Sequence, residues 1–156
     1  MAGSPRPHGL GLFYWRARTK MNPDQKRHLA ATLCLMEKDL VQQERLLRSR
    51  GEKGVLYEVV DTLRDGQHQK ILAQVTKLLK CIALVKDQFS LEVEQTNLQK
   101  MLVGELTMLS VWLQETKTKK LRGYGTVDEE LQHRLDPLLE EMADQIGKTL
   151  KTLAGA

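Results

Sequence analysis

The sequence predicts an all-α protein, with three to four helices in an elongated helical bundle with coiled-coil segments. Three observations carry that prediction. Among 156 residues there are 27 leucines but only seven aromatic side chains, a profile that suits helices packed through leucine seams and leaves a sheet short of its β-branched and aromatic residues. The apolar positions step by three and four over long stretches, which is the spacing of one helix face. The four prolines leave residues 67–121 uninterrupted.

Residues 1–20 stand apart from this pattern. They hold Arg6, Arg16, Arg18 and Lys20 with no acid, whereas the rest of the chain carries 20 basic and 20 acidic residues. Glycine and proline break up the front of this leader, and Phe13, Tyr14 and Trp15 follow beside its arginines. It reads as a basic, disordered tail ahead of a body covering residues 21–156, with Met21 as an alternative start. Mitochondrial import and a short aromatic-basic docking motif are the minority readings of the same residues.

Asn22-Pro23-Asp24-Gln25 predicts a helix start, because Asn22 can cap an orphan N–H, Pro23 fits the first turn and Asp24 suits the positive end of the dipole. Leu29, Leu33, Met36, Leu40, Gln43 and Leu47 then step 4, 3, 4, 3, 4, a heptad seam with one polar member. Arg48, Arg50 and Gly51 close it, as cations and glycine close helices. Beyond Gly51 and Gly54, the apolar set Val55, Leu56, Val59, Val60 and Leu63 predicts a second, shorter helix ending near Gly66.

The central run follows. Ile71, Val75, Leu78, Ile82, Val85 and Phe89 step 4, 3, 4, 3, 4, and the stripe resumes in shifted register at Leu91, Leu98, Leu102, Leu106, Leu109 and Leu113. As one helix, residues 67–121 would reach about 80 Å at about 1.5 Å per residue. The register slip between Phe89 and Leu91 marks the place for a bend, a stutter or a break. Gly123 and Gly125 end this run. Thr126 to Glu129 has the form of a capping box for a last helix, striped by Leu131, Leu135, Leu138, Leu139, Met142, Ile146, Leu150 and Leu153, with Asp136-Pro137 expected to kink or re-cap it. The polar face of that helix is acidic.

No catalytic or cofactor chemistry is expected. His8, His28, His68 and His133 are scattered without zinc-ligand spacing; Cys34 and Cys81 lie in leucine stripes and read as small core residues; no phosphate loop or nucleophile motif is present. No apolar window is long enough to cross a bilayer, and two cysteines without a secretory signal point to a reducing, cytoplasmic setting, with cytoskeleton, centrosome or nucleus as further locations. Two basic clusters, Arg45, Arg48, Arg50, Lys53 and Lys117, Lys119, Lys120, Arg122, match helix C-termini before they match a phosphate partner. Nucleic acid or an acidic surface is therefore an unsupported partner. Trp112 has two readings, as packing within the protein or as an anchor in a partner's pocket.

These seams outnumber what one short chain covers, and a lone leucine stripe left in water gains nothing to offset its ordering entropy. The expected function is a non-catalytic subunit of a coiled-coil assembly of cytoskeletal, spindle, centrosomal or kinetochore type, whose partners are other helical subunits. The residues expected to meet them are Leu29, Leu33, Met36, Leu40, Leu47, Ile71, Val75, Leu78, Ile82, Val85, Phe89, Leu102, Leu109, Trp112, Leu131, Leu135, Met142 and Leu150. The alternative is a self-contained helical adaptor that binds one amphipathic helix.

Overall fold

Asn22 does cap the first helix. In the computed structural model its Oδ1 accepts the Gln25 N–H at 2.8 Å while Gln25 Oε1 accepts the Asn22 N–H at 2.9 Å, so two orphan donors are satisfied reciprocally, each cap being worth about 1 kcal/mol. The structure describes residues 20–155, which leaves the leader reading outside the described residues. Those residues form five helices and two short strands in two compact units divided between Glu94 and Gln95. The all-α class holds, and the helix count rises from three or four to five.

In the first unit, α1 (Pro23–Ser49) leads into β1 (Gly51–Lys53) and β2 (Glu58–Val60), followed by α2 (Asp65–Phe89). The expected short helix over 55–63 is a β-hairpin instead. Gly51 pairs with Val60, Glu52 with Val59 and Lys53 with Glu58 in antiparallel register, and the turn is closed by the Gly54 N–H donating to the Tyr57 carbonyl at 2.9 Å. Valine and tyrosine favour that extended backbone over a helix. Gly51 is required there, because its φ is +118° and a Cβ would stand 2.2 Å from the Val59 carbonyl oxygen.

Helices α1 and α2 pack antiparallel. His68, near the start of α2, donates from Nε2 to the carbonyl of Leu47 near the end of α1 at 2.7 Å, and the Cys34 thiol, midway along α1, donates to Glu94 Oε2 beyond the far end of α2 at 3.1 Å. Leu40 and Val75 are buried between them, with Leu29, Leu33, Leu47, Ile71, Ile82, Val85 and Phe89 half-buried. Each such side chain contributes up to about 1.5–3 kcal/mol according to how fully it leaves water. Met36 and Gln43 of the expected α1 seam are exposed, because a 3.6-residue helix drifts off a strict heptad and one neighbour covers only one side of the stripe.

The long central helix does not form. Helix α2 stops at Phe89, with Ser90 left-handed at φ 50° and the Leu91 N–H returning to the Lys86 carbonyl at 2.9 Å. Leu91 itself is buried. This is a Schellman-type stop, in which the residue beyond the left-handed position folds back under the last turn, and it falls where the leucine register slips.

The second unit begins with Asn97, whose Oδ1 accepts the Lys100 N–H at 3.2 Å. It caps α3 (Leu98–Glu115), followed by the single turn α4 (Thr118–Leu121), a 3-10 turn (Arg122–Tyr124) and α5 (Glu129–Leu153). The cap of α5 is Asp128 in place of Thr126, its Oδ1 accepting the Leu131 N–H at 2.7 Å, with Glu129 and Glu130 reinforcing the positive end of the dipole. Pro137 lies inside α5 without re-capping it.

Helices α3 and α5 also run antiparallel. The Gln99 side-chain amide reaches the Leu153 carbonyl, and at the other end the Thr118 hydroxyl donates to Asp136 Oδ2 at 3.0 Å. Leu113 and Leu139 are buried in this pair and Leu102, Leu106, Leu135, Ile146 and Leu150 half-buried. No helix among the described residues is long and apolar enough to cross a membrane.

Candidate functional site

Helix α3 carries apolar residues on two faces, and only one is used by α5. Leu102, Leu106 and Leu113 form the covered face. The other is a stripe of Leu98, Met101, Met108 and Trp112, with Leu109 at its edge, exposed by 42–63%. In this run the spacing from Leu98 through Met101, Glu105, Met108 and Trp112 to Glu115 is 3, 4, 3, 4, 3, so α3 presents a second heptad seam that faces solvent. Lys100, Met101, Gly104, Glu105, Met108, Leu109 and Trp112 border one open, mainly apolar groove.

Gly104 forms the floor of that groove. A Cβ there would meet no atom within 4 Å, so nothing in the folded chain requires glycine at this interior helical position. The far end of the stripe meets a basic turn: Lys117, Thr118, Lys119, Lys120, Leu121 and Arg122 follow α3, and Lys120 Nζ stands 3.5 Å from Glu115 Oε1. That turn is held by the buried Thr118, whose N–H and hydroxyl both face the Asp136 carboxylate. A single-turn helix could not hold its position unaided.

Three of the four cations in the other basic cluster, all but Lys53, are spent internally. Arg45 pairs with Glu52 at 2.7 Å, Arg50 with Asp65 at 2.9 Å, and Arg48 with Glu44 one turn before it. Glu52 also accepts the Tyr57 hydroxyl at 2.8 Å, which holds that phenol above its usual range. The bonds of Arg45 and Tyr57 to Glu52 tie the hairpin to the end of α1. Its tip remains bare, with Val55 and Leu56 almost wholly exposed.

Of the eighteen predicted interface residues, Met36, Leu78, Leu109, Trp112, Leu131 and Met142 are exposed, while Leu40 and Val75 are buried and the others half-buried. Trp112 is 59% exposed, so its indole is not enclosed by its own unit. Cys34 is half-buried, and the hydrogen bond to Glu94, with burial, raises its thiol above the ordinary range. Cys81 is exposed, contrary to the core reading, because it lies on the outer side of the α2 stripe.

His68 is the polar residue whose place the sequence concealed. It is buried, with Nε2 3.7 Å from Asp61 Oδ2, itself buried without a hydrogen-bond partner among the described residues. Helix spacing gives no sign of this junction, since it joins the α1 terminus, the hairpin exit and α2. No group of three or more metal-ligating side chains occurs among the described residues.

No protein-family model matches the chain, and no curated protein or solved structure matches it either.

Proposed function

We propose that this protein is a non-catalytic structural subunit of a multi-protein coiled-coil assembly of cytoskeletal, spindle, centrosomal or kinetochore type, which binds helices of its partners through exposed apolar seams. The carrying observation is the solvent-facing heptad stripe of α3, which continues through Trp112 on a helix whose adjoining face already packs against α5. A folded chain that exposes Met101, Met108, Leu109 and Trp112 side by side has an apolar surface of the kind that partners cover. Tryptophan among methionines adds anchor area and adaptable packing. Its setting is cytoplasmic on this reading.

The antiparallel pairing of α1 with α2 and of α3 with α5 also supports the second reading, a self-contained adaptor that binds one amphipathic helix transiently. Purification of the tagged chain at native abundance, read by quantitative mass spectrometry, separates the two. A fixed set of helical proteins at near-equal amounts is the expected result. Recovery of the chain alone overturns the subunit reading and leaves the adaptor.

A further inference from the structure

We propose that the α3 groove takes one α-helix of another protein, a helix with an apolar heptad face that carries acidic residues at the end lying beyond Trp112. This inference rests on the partner-binding reading above and specifies the chemistry of the partner.

The apolar face of the occupant follows from the stripe. Met101, Met108, Leu109 and Trp112 occupy three turns of α3 and are all exposed, and Gly104 leaves space between them where another backbone can approach closely. All seven residues that border this open groove lie on a single helix, so an occupant would lie along one helix face.

The acidic end follows from the charge. Past Glu115 the chain carries Lys117, Lys119, Lys120 and Arg122 within six residues. Lys120 is held against Glu115, the next heptad position after Trp112, which brings the basic turn to the end of the stripe. Lys117, Lys119 and Arg122 have no ion-pair partner among the described residues, unlike Arg45, Arg48 and Arg50. Carboxylates on an arriving helix would therefore meet uncommitted cations.

Two other occupants fit less well. A second copy packed antiparallel about the middle of the stripe would bring two Glu105 carboxylates within one turn of each other, a like-charge contact. An anionic bilayer would match the lysines, but Glu105 stands in the centre of the apolar stripe and would be pressed toward lipid phosphate.

The experiment uses the full chain with Trp15→Phe, so that Trp112 is the sole tryptophan and its emission reports the groove. The probe is a synthetic helical peptide of three heptads with leucine and isoleucine at the seam positions and four glutamates at one end; a companion peptide carries four lysines there. We expect the glutamate peptide to shift Trp112 emission to the blue and to bind at least about tenfold more tightly than the lysine peptide. Lys119→Glu with Arg122→Glu removes that preference. Gly104→Leu, whose Cβ meets no atom within 4 Å in the free chain, weakens binding about tenfold by filling the groove.

Equal binding of the two peptides, or unchanged binding by Gly104→Leu, overturns the proposal. So does a blue shift that grows with protein concentration alone, which would identify a second copy, or one produced by phosphatidylserine vesicles but not by peptide, which would identify a membrane. The parent reading is judged separately by native co-purification. No stable partner together with charge-selective peptide binding sinks the subunit reading and leaves the groove; stable partners retained by both variants do the reverse.

Discussion

Replacing Gly104 by alanine should stabilise the free protein, although the residue sits in the candidate site. Gly104 is the seventh of the eighteen residues of α3, in the helix interior, where glycine costs about 0.8–1 kcal/mol relative to alanine because more backbone freedom is lost on folding. The added Cβ meets no atom within 4 Å, so no steric term offsets the gain. A gain of about 1 kcal/mol is roughly a fivefold change in the folding equilibrium constant. At a urea slope of about 1–2 kcal/mol/M for a small unit, it moves the midpoint upward by about 0.5–1 M. The assay is equilibrium urea unfolding read by Trp112 fluorescence in the Trp15→Phe chain, where Trp112 reports its own unit. A midpoint that stays in place or falls would refute the reasoning, since glycine would then serve the fold and not an approaching helix. Gly51→Ala is the control of opposite sign: its φ of +118° and a Cβ 2.2 Å from the Val59 carbonyl oxygen should cost at least about 1–3 kcal/mol.

Further outcomes follow from individual contacts. Asp128→Ala removes the cap of α5 and should cost about 1 kcal/mol, seen as a lower melting midpoint by circular dichroism; an unchanged melt would mean that Thr126 or water replaces the cap. Asp136→Ala leaves the buried Thr118 hydroxyl and N–H without their acceptor and should destabilise by about 1–3 kcal/mol, while Asp136→Asn, which retains a carbonyl oxygen, should lose less. Cys34 should be alkylated more slowly than Cys81 near pH 8.5, because its thiol is raised first by the Glu94 hydrogen bond and then by burial. The raised value means that this bond supports folding below the ordinary thiol range and that its contribution is lost as pH climbs through the folded value; Glu94→Ala should bring Cys34 alkylation to lower pH. Equal alkylation rates at both cysteines would contradict the Glu94 contact.

The helical class and most helix starts and stops were legible because they depend on neighbours in the chain. Asn22 with Gln25, and Arg50 with Gly51, act over three or four residues, and a reader of the sequence sees all the participants. The apolar hairpin was less legible. Val55, Leu56, Val59 and Val60 fit a helix face by spacing, and what decides against it is the turn that the Gly54 N–H closes on the Tyr57 carbonyl, which brings β2 back to pair with β1. Register slip at Leu91 was visible as a change in pattern, yet its meaning as a stop depended on Leu91 being buried.

The seams were found as stripes, but a stripe states that a face is apolar and not what covers it. Sequence alone determined that helices dominate, that leucine lines their faces, that the charge of residues 21–156 is balanced, and where the main caps lie. Tertiary structure alone decided that α1 and α2 consume most of the first two seams, that Arg45 and Arg50 neutralise Glu52 and Asp65, and that His68 and Thr118 are buried anchors. It also decided that Met101, Met108 and Trp112 remain open. The physical reason is range: caps and helix periodicity act through bonds a few residues long, whereas burial depends on which distant segment arrives at a face, and two apolar faces of one helix are equivalent until a neighbour has covered one of them.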